Sequence, residues 1–287
     1  MSVCAIFVSF HPDRDVCNTL TAVRPQVQHL VVVDNGSSSE ELSSLRATNL
    51  GFDLIENGEN LGIATALNIG VRRAHALGTE FVLLLDQDSC LTENFVATML
   101  QGFAASPSQD RLGILVPRYV DRRFGHILAP YVAAGSLLEA ATTSGSLIPL
   151  SLFDRAGYIA EELFIDGVDY EFSLRIRSLG YTIEECPGAI LLHSPGTPTY
   201  HRLLGSKPFQ VGNYSPIRRY YQERNKIWIT RRYWRRFYPF LLSQFAISLK
   251  DLIKIVAAED GKRKKLTFFF RGILDGLRGR MGKCDLS

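Results

Sequence analysis

Short apolar runs alternate with helical patterns through the first hundred residues, and this alternation constrains the fold more than any other feature. Polar turn residues follow each apolar run, which is typical of strands. The runs that predict strands are 3–9, 30–33, 52–55 and 81–85. Between the last two, apolar residues spaced three and four apart from Ile63 predict a helix that Asn60 caps and Gly78 ends. Strand, helix, strand in succession predicts an α/β fold with a parallel sheet and right-handed crossovers.

The pattern is less regular after residue 110. A strand is predicted at 112–116 and another at 189–192, with a loop-rich stretch after the first. A helix is predicted at 168–179, because four apolar residues share one face there: Val168, Phe172, Ile176 and Leu179.

Charge is unevenly distributed along the chain. The 287 residues carry a formal net charge of +3, but residues 201–287 contain 20 basic and 6 acidic residues, whereas the preceding 200 are acidic on balance. A basic segment rich in aromatic residues suits an anionic membrane surface, a nucleic acid or a phosphorylated substrate. The acidic part argues against nucleic acid. The longest apolar stretch of the segment, 237–248, is too short to span a bilayer, so we expect peripheral contact at most.

Cysteine use and the N-terminal residues indicate the compartment. The five cysteines are an odd number, they are scattered, and none forms a Cys-x-x-Cys pair, so we expect reduced thiols. The first residues lack the features of a signal peptide, which favours a cytoplasmic protein. No Gly-x-Gly-x-x-Gly follows the first predicted strand, which argues against a dinucleotide-dependent dehydrogenase.

Polar residues follow three of the predicted strands, where parallel sheets place their ligands. The ends carry Ser9 and His11, then Asp34, then Asp86-Gln87-Asp88. In an extended strand the carboxylates of Asp86 and Asp88 point to the same face and repel each other unless a cation lies between them. Mg²⁺ and Mn²⁺ prefer such oxygen ligands, together with substrate phosphates. The alternative is a solvated turn or a helix cap.

Other candidates also have two interpretations. Asp34, in an Asp-Asn-Gly-Ser turn, either shapes the turn or accepts a hydrogen bond from the imide N–H of uracil or thymine. Asp166 and Asp169 lie three residues apart at a predicted helix start, where they either line a pocket, one of them as a general base, or favour the helix dipole. His193 and the basic segment 218–225 either bind a diphosphate or have structural roles.

Seven ordered segments together resemble family 2 glycosyltransferases, and more narrowly the bacterial rhamnosyltransferases that build O-antigen, lipopolysaccharide and related polysaccharides. They are FVSFHPD, VVVDNGS, NLGIATALNIG, LLLDQDS, FIDGVDYEFSLRIRSLGY, YSPIRRYYQERN and GILDGLRGRMGK. His11 departs from the family, which more often has Thr-Tyr-Asn there. The resemblance implies a GT-A fold, Rossmann-like, with a mixed, mostly parallel sheet flanked by helices. It implies a catalytic domain at 1–205, with a nucleotide-binding half at 1–110 and an acceptor half at 111–205. A basic, mainly helical region at 206–287 would complete the donor site.

The resemblance also implies roles for individual residues in an inverting, metal-dependent transfer. Aligning the family's Leu-Arg with Leu174-Arg175 places the catalytic aspartate at Asp169 and leaves Asp166 outside the match. The metal, Mg²⁺ or Mn²⁺, would be held by Asp86, Asp88 and His193. The implied donor-binding residues are Ser9, His11, Asp34, Asn60, Gly62, Asn68, Asp86, Gln87, Asp88, Arg219, Tyr220, Arg224 and Asn225.

For the substrates, the resemblance favours dTDP-L-rhamnose as donor and a saccharide, free or lipid-linked, as acceptor. A lipid-linked acceptor would place the enzyme on the inner face of the cytoplasmic membrane. Two alternatives remain open. The donor is a UDP-hexose, since Asp34 cannot distinguish uracil from thymine, or the chain is a non-catalytic partner that binds a nucleotide sugar.

Overall fold

The computed structural model describes residues 1–13, 15–128, 137–193, 199–201 and 209–285. The chain forms two compact units, one of Met1–Glu161 with Asp169–Ser194 and one of Glu162–Val168 with Pro195–Ser287. The domain boundary predicted between residues 205 and 206 lies outside the described residues. The short segment Glu162–Val168 is grouped with the C-terminal residues although it is distant from them in sequence.

The first unit is built around one eight-stranded sheet. The strands of the chain are β1 (Val3–Ser9), β2 (His29–Asp34), β3 (Asp53–Glu56), β4 (Phe81–Asp86), β5 (Ser89–Leu91), β6 (Leu112–Asp121), β7 (Leu147–Pro149), β8 (Thr182–His193), β9 (Thr199–His201) and β10 (Phe209–Val211). The helices are α1 (Val16–Val23), α2 (Ser43–Ala47), α3 (Ile63–Ala76), α4 (Phe95–Ala105), α5 (Ser151–Ala156), α6 (Val168–Ser178), α7 (Pro216–Ala258) and α8 (Lys262–Arg278).

The sheet order is β3-β2-β1-β4-β7-β6-β8-β5. Neighbours from β3 to β4 are parallel, as are β6 and β8, whereas β7 and β5 pair antiparallel with their neighbours. This confirms the predicted mixed, mostly parallel α/β fold. Strand β1 lies in the middle of the parallel part, and all seven of its residues are buried because helices cover both faces. One continuous sheet therefore contains strands from both halves predicted for the catalytic domain.

Most predicted elements are confirmed, and two details of the helices are wrong. Gly62, not Asn60, is the N-cap of α3, because the Asn60 side chain is turned back to accept a hydrogen bond from the Gly62 backbone N–H at 2.9 Å. Leu179 is 54% exposed rather than buried, because α6 ends at Ser178 and Leu179 no longer follows the helical face.

The second unit is mainly helical, which confirms the predicted helical C-terminal region. Helix α7 is 43 residues long and has a kink at Phe237, two residues before Pro239. Proline has no backbone N–H to donate to the helix, and its ring crowds the preceding turn. Helix α8 packs closely against α7 at Gly272, where a Cβ atom would lie 2.3 Å from the Tyr220 carbonyl oxygen. Among the described residues, no helix is long and apolar enough to cross a membrane.

Candidate active site

The polar turns after β1, β2 and β3 are joined through the side chain of Asn35, which the sequence did not single out. Its Oδ1 accepts hydrogen bonds from Asn57 Nδ2 at 3.2 Å and from the Leu61 N–H at 3.1 Å. Its Nδ2 donates to Asn60 Oδ1 at 3.1 Å, and its backbone N–H donates to the Ser9 carbonyl at 2.8 Å. These bonds hold the turns after the three strands together at the carboxyl end of the parallel part of the sheet.

Asp34 is the most heavily bonded group in this cluster. The residue is 1% exposed. It accepts hydrogen bonds from two backbone N–H groups, those of Gly36 and Ser37, and from the hydroxyls of Ser9 and Ser37. Gly36 is required in this turn, since its φ is +106° and a Cβ atom would lie 2.5 Å from the carbonyl carbon of Glu59. Asp34 shapes the turn, and it would have to release one of these bonds to accept one from a base.

The Asp86-Gln87-Asp88 segment begins at the last residue of β4 and contacts the ends of two other strands. The Gln87 side-chain oxygen accepts a hydrogen bond from the Phe10 N–H at 2.9 Å, which ties the ends of β4 and β1 together. Asp88 Oδ1 lies 3.6 Å from His193 Nδ1. His193 reaches Asp88 because β5 pairs with the end of β8 in a register that sets Ser89 opposite His193.

A cavity of about 280 Å³ lies in the first unit and brings together predicted residues from three distant parts of the sequence. Asp86 contributes from the end of β4, Asp169 from the first turn of α6 and His193 from the end of β8. The other lining residues are Val116, Pro117, Tyr119, Leu128, Leu138, Ala140, Ala141, Thr142, Thr143, Ser144 and Glu185. The cavity thus combines carboxylates and an imidazole with apolar walls, as small-molecule sites do.

Tyr119 forms part of the wall of this cavity. Its hydroxyl donates to the Ser144 carbonyl oxygen at 2.7 Å and accepts from Thr142 Oγ1 at 2.5 Å. Burial raises the pKa of the Tyr119 phenol above its ordinary value, and the negative charges of the nearby acidic residues act in the same direction. The phenol therefore stays protonated at neutral pH and fixes the loop that carries Thr142 and Ser144.

The two aspartates predicted near the start of α6 have different surroundings. Asp169 lines the cavity, whereas Asp166 is not among its lining residues. The Asp166 carboxylate accepts two hydrogen bonds from Arg218, at 2.6 and 3.2 Å, and the residue has a left-handed φ of +63°. Asp166 is thus held in an ion pair inside the second unit, which leaves Asp169 as the better placed of the two for chemistry in the cavity.

The basic cluster predicted to bind the diphosphate is buried in the second unit. Arg219, Tyr220, Arg224 and Asn225 are between 1% and 4% exposed. Arg219 forms ion pairs with Asp251 and Glu259, and the Tyr220 hydroxyl donates to Asp275 at 3.1 Å. These contacts hold the helical unit together.

Arg224 and Asn225 hold the segment that precedes the candidate base. Arg224 donates to the carbonyls of Glu162 and Leu163, and Asn225 donates to those of Leu163, Ile165 and Asp166 at 2.6 to 2.9 Å. The segment needs such support, since its backbone has positive φ at Phe164, Asp166 and Gly167, an arrangement that is costly for the two non-glycine residues.

We expect Asn225→Ala to lower the free energy of unfolding by about 3 kcal/mol, because the side-chain amide that satisfies three carbonyls is lost. Urea denaturation measures the change. Arg218→Ala is the matched control, about two turns earlier in the same helix. It breaks a partly exposed ion pair and should cost less than about 1 kcal/mol. Equal losses in the two variants would contradict the structural role of Asn225.

The remaining predicted donor residues differ in accessibility. Asn68 is fully buried, and its amide is bonded to Ile159 and Glu161, so we leave it out of the proposed donor site. Gly62 and Asn60 form the turn before α3. His11 is exposed with a φ of +49°, and its ring pairs with Glu41 at 2.8 Å. Hydrogen bonds from Ser38, and to a smaller extent the contact with His11, lower the pKa of the Glu41 carboxyl to about 2.

Among the described residues, no three carboxylate, imidazole or thiol groups converge in a preformed metal site. Asp86 and Asp88 end a core strand, and Asp88 is 45% exposed on its side chain, so carboxylate oxygens are available to an incoming ligand. This donor set fits an ion such as Mg²⁺ that takes one or two carboxylates and completes its shell with phosphate oxygens and water.

Sequence reasoning missed several residues around the cavity. The sequence pattern predicts a strand only to residue 116, whereas β6 continues to Asp121, so the pattern does not place Tyr119. Thr142 and Ser144 lie in a run of small polar residues that follows the loop-rich stretch, and that run is the available signal. Arg218 faces Asp166 whereas its neighbour Arg219 is buried, a difference that two adjacent arginines in a helix do not reveal.

Comparison with known proteins is consistent with this geometry. Residues 9–133 match the model of Glycosyl transferase family 2. The chain is 28% identical to the dTDP-rhamnosyl transferase RfbF of Shigella flexneri, over 98% of this chain and 97% of that protein. It is 25% identical to the galactofuranosyltransferase GlfT1 of Mycolicibacterium smegmatis, over 78% of this chain and 81% of the relative.

Two solved structures have a similar fold. A crystal structure of GalNAc-T7 with UDP, GalNAc and Mn²⁺ superposes with a TM-score of 0.62 at 14% identity, and the match covers 98% of this chain but only 56% of GalNAc-T7. Residues 1–349 of Staphylococcus aureus TarS, in complex with UDP-GlcNAc, superpose with a TM-score of 0.53 at 14% identity, over 98% of this chain and 73% of that one. At this identity the likeness shows the fold alone.

Proposed function

We propose that this chain is a family 2 glycosyltransferase that uses a nucleotide sugar, and that it transfers L-rhamnose from dTDP-L-rhamnose to a saccharide hydroxyl with inversion. The observation that carries the proposal is the cavity of the first unit. Residues from three separate elements, Asp86, Asp169 and His193, line it together. Each had been selected from the sequence for a role in one reaction, and a common cavity is what that reaction requires.

In the proposed reaction Asp169 is the general base. Its carboxylate lies in the first turn of α6, where the positive end of the helix dipole favours negative charge, and it takes the proton of the acceptor hydroxyl. The hydroxyl oxygen attacks the anomeric carbon from the face opposite the diphosphate, so the C–O bond to the acceptor forms as the bond to the diphosphate breaks. Leu128 and Leu138 contribute apolar surface to the cavity in which this step would take place.

Asp86 and Asp88 would hold a divalent cation, Mg²⁺ or Mn²⁺, with His193 beside them. Such an ion supplies positive charge that stabilises the leaving diphosphate. The Mn²⁺ in the GalNAc-T7 structure supports this assignment by analogy of fold. His193 lies within 3.2 Å of Ser89 Oγ and 3.6 Å of Asp88 Oδ1, so its ring is oriented by both neighbours.

The rhamnose assignment rests on the likeness to RfbF, which extends along both chains. In the base-binding part of the site, Asp34 would accept the imide N–H of thymine. For this the Ser37 hydroxyl, at the edge of the turn, would leave Asp34 Oδ2. Uracil offers the same donor, so a UDP-hexose is the second candidate donor. The acceptor would be lipid-linked, with the enzyme at the cytoplasmic face of the membrane.

Thermal-shift titration with dTDP, UDP and dCDP in the presence of Mg²⁺ tests the donor assignment. We expect dTDP to bind most tightly. The dissociation constant of dCDP should be about tenfold higher or more, because cytosine presents an acceptor where Asp34 needs a donor. Stabilisation by dCDP equal to that by dTDP would overturn the role of Asp34, and tighter binding of UDP would favour the UDP-hexose alternative.

A further inference from the structure

The part of α7 beyond its kink carries a row of exposed apolar side chains. Tyr238, Leu242, Leu249, Ile253 and Val256 are each between 51% and 60% exposed. At roughly 100° per residue they fall within an arc of about 60° on the helix. We refer to these five residues as the α7 stripe.

Burial in the helical unit does not account for this stripe. Leu241, Ser248 and Ile255 recur every seven residues and are 8% exposed or less. They form the buried face of the same helix segment, which lies about 90° to 130° from the centre of the α7 stripe. Helix α7 therefore has two faces suited to an apolar environment, and folding of the unit buries only one of them. Contiguous exposed apolar surface of this kind marks an interaction site.

The charges beside the α7 stripe are positive. Lys250 and Lys254 lie along one flank, and Arg235 and Arg236 precede it, next to Trp234, which is 43% exposed. Long basic side chains at the edge of an apolar face extend their charged ends toward anionic headgroups, and tryptophan prefers the lipid interface. This combination is typical of a helix that lies in the plane of a membrane surface.

We propose that the α7 stripe lies on a lipid surface that carries anionic headgroups. The inference rests on the proposed function, because an enzyme whose acceptor is lipid-linked gains from being held at the membrane. A second copy of the chain is a weaker candidate for the partner. A two-fold contact along the stripe would bring the same basic flanks of both copies together, and like charges at short range repel.

Flotation with phosphatidylcholine vesicles, with and without phosphatidylglycerol, tests the proposal. The full chain should float with the anionic vesicles and much less with the neutral ones. Ile253→Ser, on the stripe, should lower the partition coefficient about tenfold, since one aliphatic side chain no longer enters the lipid. Ile247→Ser is the matched control, because Ile247 is 47% exposed on the same helix but lies about 150° from the centre of the stripe. That variant should float as the wild type does.

Tryptophan fluorescence gives a second measurement that does not depend on a stripe substitution. The chain has two tryptophans, Trp228 and Trp234, so Trp228→Phe leaves Trp234 as the reporter. Its emission should shift to shorter wavelength when anionic vesicles are added. No flotation of the wild type, equal flotation of the two serine variants, or a dimer in light scattering that Ile253→Ser dissociates would overturn the proposal. Donor hydrolysis by the same samples without vesicles shows separately whether the transferase assignment holds.

Discussion

Replacing Asp169 with asparagine should lower kcat for sugar transfer by about 10²- to 10⁴-fold, the range that a positioned general base contributes. Asparagine preserves the shape of the side chain but cannot take the acceptor proton. Donor affinity should change little, because Asp169 acts on the acceptor. The measurement is the rate of nucleoside diphosphate release with acceptor present, together with the dissociation constant for dTDP.

Asp166→Asn is the matched control for this prediction. It is the same substitution three residues away, and it weakens the contact with Arg218 without altering the lining of the cavity. We expect a decrease in kcat of less than about tenfold, together with lower stability of the 162–168 segment. If Asp166→Asn abolished transfer while Asp169→Asn remained active, the roles of the two aspartates would have to be exchanged.

Removing the cation, or one of its proposed carboxylates, should have the second large effect. We expect EDTA to abolish transfer and Mg²⁺ or Mn²⁺ to restore it. Asp86→Asn should lower kcat/KM by about a hundredfold or more and raise the metal concentration needed for half-maximal rate. The reason is that the leaving diphosphate carries negative charge, and Arg219 and Arg224, which the sequence suggested for it, are engaged in ion pairs and hydrogen bonds within the helical unit.

Asp110→Asn provides the comparison for Asp86→Asn. Asp110 is an exposed aspartate in the short 3-10 helix Gln109–Arg111 and is not among the residues that line the cavity. Its substitution should leave both rate and metal requirement unchanged. Full activity of Asp86→Asn in metal-free buffer would contradict the proposed cation site.

The residues that the sequence located well belong to regular elements. The buried run 81–85 predicted a core strand, and a strand fixes where its last side chains lie, so Asp86 was found at the cavity from local pattern alone. The strand pattern also locates His193 at the end of β8. The helical pattern locates both Asp166 and Asp169 near the start of α6, and only the resemblance selects Asp169 between them. Local periodicity determines such positions because side-chain direction follows from the element.

The residues that the sequence located poorly depend on contacts between distant parts of the chain. Asn225 and Arg224 bind carbonyls about sixty positions earlier. The segment that carries these carbonyls has positive φ values that no local sequence pattern predicts. Arg219 belongs to a basic segment whose composition is typical of a phosphate-binding site. Inside the helical unit, however, its charge is neutralised by Glu259, forty positions later. Composition indicates that a charge is present, and only the tertiary structure shows what it faces.

Donor hydrolysis tests the central claim most directly. The purified protein is incubated separately with dTDP-L-rhamnose, UDP-glucose and UDP-galactose, each with Mg²⁺ or with EDTA, and release of the free nucleoside diphosphate is followed. The account predicts slow, metal-dependent release of dTDP from dTDP-L-rhamnose, none from the UDP-sugars, and loss of that release in Asp86→Asn. Release from a UDP-sugar alone would contradict the rhamnose assignment, and release that is insensitive to EDTA would contradict the proposed role of Asp86 and Asp88.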